Sequence, residues 1–155
     1  MTERVRQLLV IDDDPDDMLL FQESLKETPL KFSMTRFHTG HEAIAHLEFL
    51  SMSKAESLPD LIFLDFQLPE ESGPDLIRII RANTALRIVP IIILSGMENP
   101  TSIGECYLAG ANCCVPKPST LQEAVSLAQA IHDLWFSNSK LPSDSYQSEK
   151  NISQA

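Results

Sequence analysis

The fold is decided by one stretch of the sequence, DLIFLDFQLP at residues 60–69. Four consecutive apolar residues lead to a single carboxylate, Asp65, and the chain breakers Pro69 and Gly73-Pro74 follow. A short apolar run bounded by turn residues is typical of a fully buried strand in a parallel sheet. Open α/β sheets bind their ligands at the carboxyl ends of the strands. Asp65 is therefore the first candidate for a functional residue.

Four further segments have the pattern of strands, and a predicted helix follows every strand. The other predicted strands are residues 7–11, 31–37, 89–94 and 112–115. Cap and proline signals predict helices that begin near Asp14-Pro15, Thr39, Gly73-Pro74, Asn99-Pro100 and either Ser119 or Thr120. This alternation predicts an α/β fold, with a doubly wound parallel sheet that helices cover on both faces.

Composition excludes several classes of protein. The chain has 155 residues and a net charge of −10, which disfavours a nucleic-acid partner because phosphate binding requires clustered Lys and Arg. No apolar run approaches the roughly 20 residues that span a bilayer, so no membrane association is predicted. Three cysteines without framework spacing predict reduced thiols and a cytoplasmic location. Residues 138–155 lose periodicity and are predicted to be a flexible polar tail.

Polar residues stand at or just after the carboxyl ends of four of the predicted strands. They are Asp12 and Asp13, Asp65, Ser95 and Lys117. The neighbouring Asp14, Asp16 and Asp17 are accounted for by helix capping and by the helix dipole. Carboxylates that converge repel one another unless a counter-charge is present, and Mg²⁺ with oxygen ligands supplies one. Carboxylate, metal, ammonium and hydroxyl groups together predict a phosphoryl-transfer site with an aspartate nucleophile.

Four signatures in this order resemble the receiver domains of the two-component response regulators, the CheY-like family. They are LVIDD at residues 9–13, the strand that ends at Asp65 with Leu68-Pro69 behind it, ILSG at residues 93–96, and Lys117-Pro118. The resemblance covers about residues 6–136, so the expected domains are a receiver at 1–137 and the tail at 138–155. It implies a flavodoxin-like (βα)5 sheet with strand order 2-1-3-4-5. The long connection after the second helix and the Trp135-Phe136 pair resemble the phytochrome-associated response regulators.

The resemblance also implies a role for each site residue. Asp65 would accept a phosphoryl group from the phosphohistidine of a sensor histidine kinase or a histidine phosphotransfer protein. Asp13 would ligate Mg²⁺ directly, Asp12 would act mainly through water, and Asp65 with the backbone carbonyl of Gln67 would complete the protein ligands. The site residues that would contact the phosphoryl group are Ser95 and Lys117. A cis peptide bond is expected before Pro118.

One departure from the family pattern bears on the switch. The family often has an aromatic residue on the fifth strand that moves together with the hydroxyl group, and Cys114 stands at that position. Phosphorylation is nevertheless expected to alter the face made by the fourth helix, the fifth strand and the fifth helix. That face would bind a downstream protein or a second copy of the chain.

Several alternatives stay open beside this hypothesis. The chain could be a constitutive adaptor that is not phosphorylated, or an aspartyl-phosphate hydrolase, although no lid segment for a small substrate is evident. An EF-hand is disfavoured, because Asp17 stands where such a loop needs glycine. A redox role for Cys113-Cys114 is a minor alternative. The Trp135-Phe136 pair fits a core position and an exposed partner anchor equally well. The main hypothesis is a signalling switch and not an enzyme with a separate substrate.

Overall fold

Seven strands and five helices form the described part of the chain. The structure is a computed structural model that describes residues 4–54, 57–96 and 99–144. The strands are β1 (Arg6–Ile11), β2 (Phe32–Phe37), β3 (Leu61–Asp65), β4 (Gln67–Leu68), β5 (Glu71–Ser72), β6 (Ile91–Ser95) and β7 (Cys113–Pro116). The helices are α1 (Pro15–Lys26), α2 (Gly40–Ser51), α3 (Gly73–Ala82), α4 (Pro100–Ala109) and α5 (Leu121–Ile131), and a π-helical segment at His132–Asn138 continues α5.

Five strands pair in one parallel sheet in the order β2-β1-β3-β6-β7. Numbered by their order within this sheet alone, the strands read 2-1-3-4-5, which confirms the predicted doubly wound flavodoxin-like fold. The winding direction reverses between β1 and β3, whose carboxyl ends lie side by side through the pairing of Ile11 with Leu64. A ligand site is expected at this reversal.

The predicted helix starts are observed, and the caps account for them. The side chain of Asp14 accepts hydrogen bonds from the N–H groups of Asp16 and Asp17 at the start of α1. Thr120 caps α5, and this decides between the two predicted caps. Gly110 ends α4 with a φ of 118°, a left-handed conformation that glycine adopts without steric cost.

Two apolar clusters hold the helices against the two faces of the sheet. On one face Ile62 and Leu64 of β3 pack with residues of α2, α3 and α4. On the other face Leu61 and Phe63 pack with α1 and α5, and the Phe63 ring meets the Phe21 ring edge-on at 4.7 Å. Every residue of β3 is buried, so each of its apolar side chains contributes about 1.5–3 kcal/mol. The central strand therefore holds Asp65 on a rigid support.

The sequence patterns missed a short antiparallel ribbon, β4 with β5, directly after β3. Glu70 adopts a φ of 60° in its turn. The Glu71 carboxylate then accepts hydrogen bonds from the N–H groups of Gly40 (2.7 Å) and His41 (2.8 Å), at the start of α2. A carboxylate at a helix amino terminus is favoured by the helix dipole. The loop after Asp65 is thus fixed to a second helix.

The described residues beyond 138 are ordered against the amino ends of the strands. Leu141 is buried, and the Asp144 carboxylate pairs with the guanidinium groups of Arg4 and Arg6. The first residues of the predicted polar tail therefore have defined contacts, whereas residues 145–155 lie outside the described residues. No helix in the described ranges is long and apolar enough to cross a membrane.

Candidate functional site

Three carboxylates converge at the carboxyl edge of the sheet. One oxygen from each of Asp12, Asp13 and Asp65 lies within 4.8 Å of the other two. Asp12 and Asp65 are 2% and 4% exposed, whereas Asp13 is open to solvent. These are the three acids that were predicted to meet at this edge. Their oxygens could hold one hard divalent cation, and the exposed Asp13 leaves it a route to water.

Local turns fix the orientation of the two buried carboxylates. The backbone N–H of Asp14 donates to Oδ1 of Asp12 at 2.9 Å, and the N–H of Gln67 donates to Oδ1 of Asp65 at 3.0 Å. Each aspartate thus bonds the backbone two residues further on, a turn that its short side chain favours. The second oxygen of each carboxylate remains for the site.

The ammonium of Lys117 lies among these second oxygens. Its Nζ is 2.9 Å from Oδ2 of Asp12, 3.2 Å from Oδ2 of Asp65 and 2.7 Å from Oδ2 of Asp17. The backbone N–H of Lys117 also donates to the Ser95 carbonyl at 2.7 Å, which ties the loop after β7 to the end of β6. The contacts with Asp12 and Asp65 fit the predicted site. The contact with Asp17 was missed, because capping alone accounted for that residue in the sequence.

The electrostatics of the site depend on burial and on mutual repulsion. Burial raises the pKa of Asp12 to about 6, and the charge of Asp65 adds to this effect. The Asp14 N–H and Lys117 act in the opposite direction but do not cancel it. Burial would lower the pKa of Lys117, but its hydrogen bonds to Asp17 and Asp12, together with the charges of Asp12 and Asp65, outweigh burial and raise that pKa. Lys117 is therefore a permanent cation in a site that has an excess of negative charge.

Ser95 and Gln67 lie at the border of the same site. Ser95 is the half-buried last residue of β6, and its neighbour Leu94 pairs with Asp65. The side chain of Gln67 extends toward Gly96, where a Cβ would lie 3.7 Å from its Oε1. A side chain at residue 96 would thus meet Gln67 at ordinary van der Waals distance.

Comparison with known proteins identifies the family. The family model described as "Response regulator receiver domain" matches residues 8–129. The chain belongs to this family. It is 27% identical over 135 residues to "Response regulator Rcp1" of Synechocystis sp., an alignment that covers 87% of this chain and 92% of that protein.

Two solved structures extend the comparison to three dimensions. The phosphorylated cyanobacterial phytochrome response regulator RcpA is similar with a TM-score of 0.80 and 26% identity, over 90% of this chain and 99% of that one. The Mn²⁺-bound form of Rcp1 is similar with a TM-score of 0.76 and 26% identity, over 88% and 99%. The predicted likeness of this receiver to phytochrome-associated regulators is therefore confirmed.

In this receiver Cys114 lies on β7, and a tyrosine of α4 contacts its backbone. The N–H of Cys114 donates to the hydroxyl oxygen of Tyr107 at 3.1 Å. Burial raises the pKa of the Cys114 thiol to about 12, so the thiolate is scarce at neutral pH. The three cysteines are free, and this thiol environment disfavours the redox alternative for Cys113-Cys114.

Two further expectations for this receiver are resolved by the structure. The peptide bond before Pro118 is trans, as are the other peptide bonds of the described ranges, so the expected cis bond is wrong. Trp135 and Phe136 are half-buried against the cluster beneath α1 and α5, and the Arg6 guanidinium lies 5.5 Å from the centre of the Phe136 ring. The pair thus belongs to the margin of the core, while the adjacent Leu134 is 57% exposed.

Proposed function

We propose that this receiver is a signalling switch in which Asp65 accepts a phosphoryl group in the presence of Mg²⁺. The single observation that supports this best is the contact of Lys117 with Asp65 inside a cluster of three carboxylates. A cluster that holds more carboxylates than cations costs folding stability, and nothing in the packing of the described residues requires it. A site that must bind a cation and a phosphoryl group needs this charge distribution.

The donor set fits Mg²⁺. Carboxylate oxygens of Asp12, Asp13 and Asp65 are hard ligands, and the backbone carbonyl of Gln67 is proposed as a further one. When bound, the cation would neutralise negative charge that gathers on the phosphoryl oxygens. Asp13 would bind it directly, and Asp12, whose pKa is raised, would act mainly through water.

The transfer itself needs little from the protein beyond positioning. Oδ2 of Asp65, which does not accept the Gln67 N–H, would attack the phosphorus of a phosphohistidine, forming a P–O bond while the P–N bond breaks. The departing imidazole keeps the electron pair of the P–N bond and leaves as a neutral ring, because its other nitrogen carries a proton, and Asp65 becomes an acyl phosphate. The Lys117 ammonium would pair with one phosphoryl oxygen, and the Ser95 hydroxyl would donate a hydrogen bond to another.

The phosphoryl donor is proposed to be a sensor histidine kinase or a histidine phosphotransfer protein in the cytoplasm. A phytochrome-type kinase is favoured, because the similar RcpA is a phytochrome response regulator. The output surface is proposed to be the face of α4, β7 and α5, where Tyr107, Leu108 and Leu121 are 48%, 88% and 61% exposed. A downstream protein or a second copy of the chain would cover these apolar side chains.

Intact mass measured after incubation with acetyl phosphate and Mg²⁺ tests the proposal. We expect a phosphoryl adduct that disappears in EDTA and in Asp65→Asn, and that remains in Asp75→Asn. The last variant is a matched control, since Asp75 is an exposed acid of α3 that pairs with Arg78. If the protein gains no adduct while another receiver in the same buffer does, the constitutive adaptor becomes the better hypothesis, and Cys114 at the family's aromatic position would then support it.

A further inference from the structure

Lys117 has one carboxylate partner that does not belong to the acidic cluster. Asp17 makes the shortest of its three contacts, at 2.7 Å, and its side chain is 35% exposed. It lies in the first turn of α1, and it is not among the three acids of the described chain whose oxygens come together within 4.8 Å. The Lys117 ammonium is thus held between the cluster and a carboxylate at its border.

The arrangement creates competition for the same oxygens. Nζ of Lys117 contacts Oδ2 of Asp12 and Oδ2 of Asp65, and a cation at the cluster would use the same two carboxylates, Asp65 directly and Asp12 mainly through water. Two positive charges a few ångströms apart in a poorly hydrated site repel each other strongly. A lysine stem is flexible, so its ammonium can move if another acceptor is within reach. Asp17 is such an acceptor.

We propose that Asp17 is a positioning residue that holds the Lys117 ammonium at the border of the acidic cluster while a divalent cation occupies it. Asp17 thereby raises the affinity of the site for the cation without ligating it. The inference rests on the proposed function in one respect, that this cluster is the cation site of a phosphorylated receiver. It goes beyond that function by giving a role in cation binding to Asp17, which the sequence accounted for by helix capping and the helix dipole.

The start of α1 keeps Asp17 in place for this task. The side chain of Asp14 caps the helix by accepting the N–H groups of Asp16 (2.9 Å) and Asp17 (3.3 Å). The two N–H donors belong to neighbouring acids of the same turn. Asp16 is exposed and has no contact with Lys117 among those of the described chain, whereas Asp17 is half-buried. The chain therefore offers a matched control: Asp16→Asn removes the same charge from the same turn.

Mn²⁺ affinity, measured by electron paramagnetic resonance of the free ion, tests the inference without any phosphorylation. We expect Asp17→Asn to weaken Mn²⁺ binding about tenfold, which corresponds to about 1.4 kcal/mol. The variant removes the charge-assisted hydrogen bond that holds the ammonium at the border of the cluster, so the ammonium competes more strongly with the cation. Asp16→Asn should weaken it no more than about twofold, as a screened surface charge does. Asp17→Glu keeps the carboxylate and should restore most of the affinity.

A double-mutant cycle with Lys117→Met separates positioning from other effects. Without the ammonium there is nothing for Asp17 to hold, so Asp17→Asn in the Lys117→Met background should act no more strongly than Asp16→Asn. If Asp17→Asn retains its full effect in that background, Asp17 is itself a metal ligand and the inference is overturned. Equal effects of the two aspartate variants in the native background would overturn it as well, in favour of net charge alone.

The rate of acyl-phosphate formation as a function of Mg²⁺ separates this inference from the proposed function. We expect Asp17→Asn to raise the half-saturating Mg²⁺ concentration and to change the maximal rate much less. A native protein that binds Mn²⁺ and shows the coupling, yet forms no adduct, would refute the proposed function and leave the positioning role intact. An adduct that forms with identical Mg²⁺ dependence in native and Asp17→Asn protein would uphold the function and refute the positioning role.

Discussion

The two ends of strand β3 each have a buried aspartate, and their surroundings differ in charge balance. Asp60 precedes the strand at the amino edge of the sheet, and Asp65 ends it at the carboxyl edge. At the amino edge two carboxylates, Asp60 and Asp144, face two guanidinium groups, Arg4 and Arg6. Among the described residues of the carboxyl edge, Asp12, Asp17 and Asp65 contact the one ammonium of Lys117. Asp13 adds a fourth carboxylate to the same cluster.

The Asp60 carboxylate has a complete set of partners. It accepts hydrogen bonds from the Gln7 backbone N–H at 2.7 Å and from the Ser143 hydroxyl, and Arg4 lies 3.1 Å from it. A buried charge that is paired and hydrogen-bonded is tolerated, and it fixes the geometry of the segments that meet there. The amino edge therefore fastens both ends of the described chain to the sheet.

The carboxyl edge lacks this balance. Burial above all, and the charge of Asp65 in addition, raise the cost of ionising Asp12, and an added cation would lower that cost. One strand thus has a charge-balanced end and an end with an excess of carboxylates, and the difference lies in the number of cations that the described residues place around each aspartate. Variants on the two edges should consequently change stability in opposite directions.

The largest effect is expected at the amino edge. Asp60→Asn should lower the free energy of unfolding by about 3 kcal/mol, because Arg4 and Arg6 lose the buried member of their network. Urea unfolding monitored by circular dichroism measures this change. Mn²⁺ affinity of the folded protein should stay within about twofold of the native value, since Asp60 lies at the opposite end of β3 and Arg4 and Arg6 balance its charge. A loss below 1 kcal/mol would contradict the idea that this edge stabilises the fold.

A smaller change of opposite sign is expected at the carboxyl edge. In EDTA, Asp12→Asn should raise the free energy of unfolding at pH 7.5 by about 1 kcal/mol, since it removes a buried charge and keeps an oxygen for the Asp14 N–H. The pKa of Asp12 in the folded protein, about 6, exceeds its ordinary value of 3.8. Between pH 3.8 and about pH 6 the folded protein therefore binds a proton that the unfolded chain does not. The native protein thus regains stability as the pH falls through 6, and the advantage of Asp12→Asn shrinks. A destabilised variant in EDTA would refute this view of the edge.

The smallest effect is expected for Asp144. Its contribution to the free energy of unfolding should be lost as the pH falls, whereas the native protein regains stability at Asp12. Burial alone would raise its pKa, but the Leu141 N–H and the guanidinium of Arg6 lower it below the ordinary value of 3.8. Its contribution to stability is therefore complete above pH 3.8 and is lost as the pH falls through the lowered pKa. Asp144→Asn should cost about 0.5 kcal/mol at pH 7, because the side chain is partly exposed, and nothing in strong acid. Urea unfolding at the two pH values measures the difference; an equal cost at both would contradict the pairing.

Local patterns were sufficient to predict the sheet and the edge at which the candidate site residues meet. The apolar run before Asp65, the proline after Asp14 and the capping threonines each act within a few residues, so their consequences can be inferred without knowledge of tertiary contacts. Strand bounds were less exact: β6 begins at Ile91 and not at residue 89, because Val89 donates to Leu86 in a turn. Asp12, Asp13, Asp65, Ser95 and Lys117 met at one edge because parallel strands end together.

The sequence by itself determined the alternation of strands and helices, the caps and the acids that follow the strands. Only the tertiary structure decided which charges became partners. Lys117 pairs with Asp17, and Asp60 pairs with Arg4 and accepts a hydrogen bond from Ser143, because segments that are distant in the chain pack together. Pairing across such distances depends on how the helices pack on the sheet, and no local periodicity contains that information. Tertiary packing therefore sets the charge balance at each edge of the sheet, whereas short sequence patterns set the strands and helices that pack.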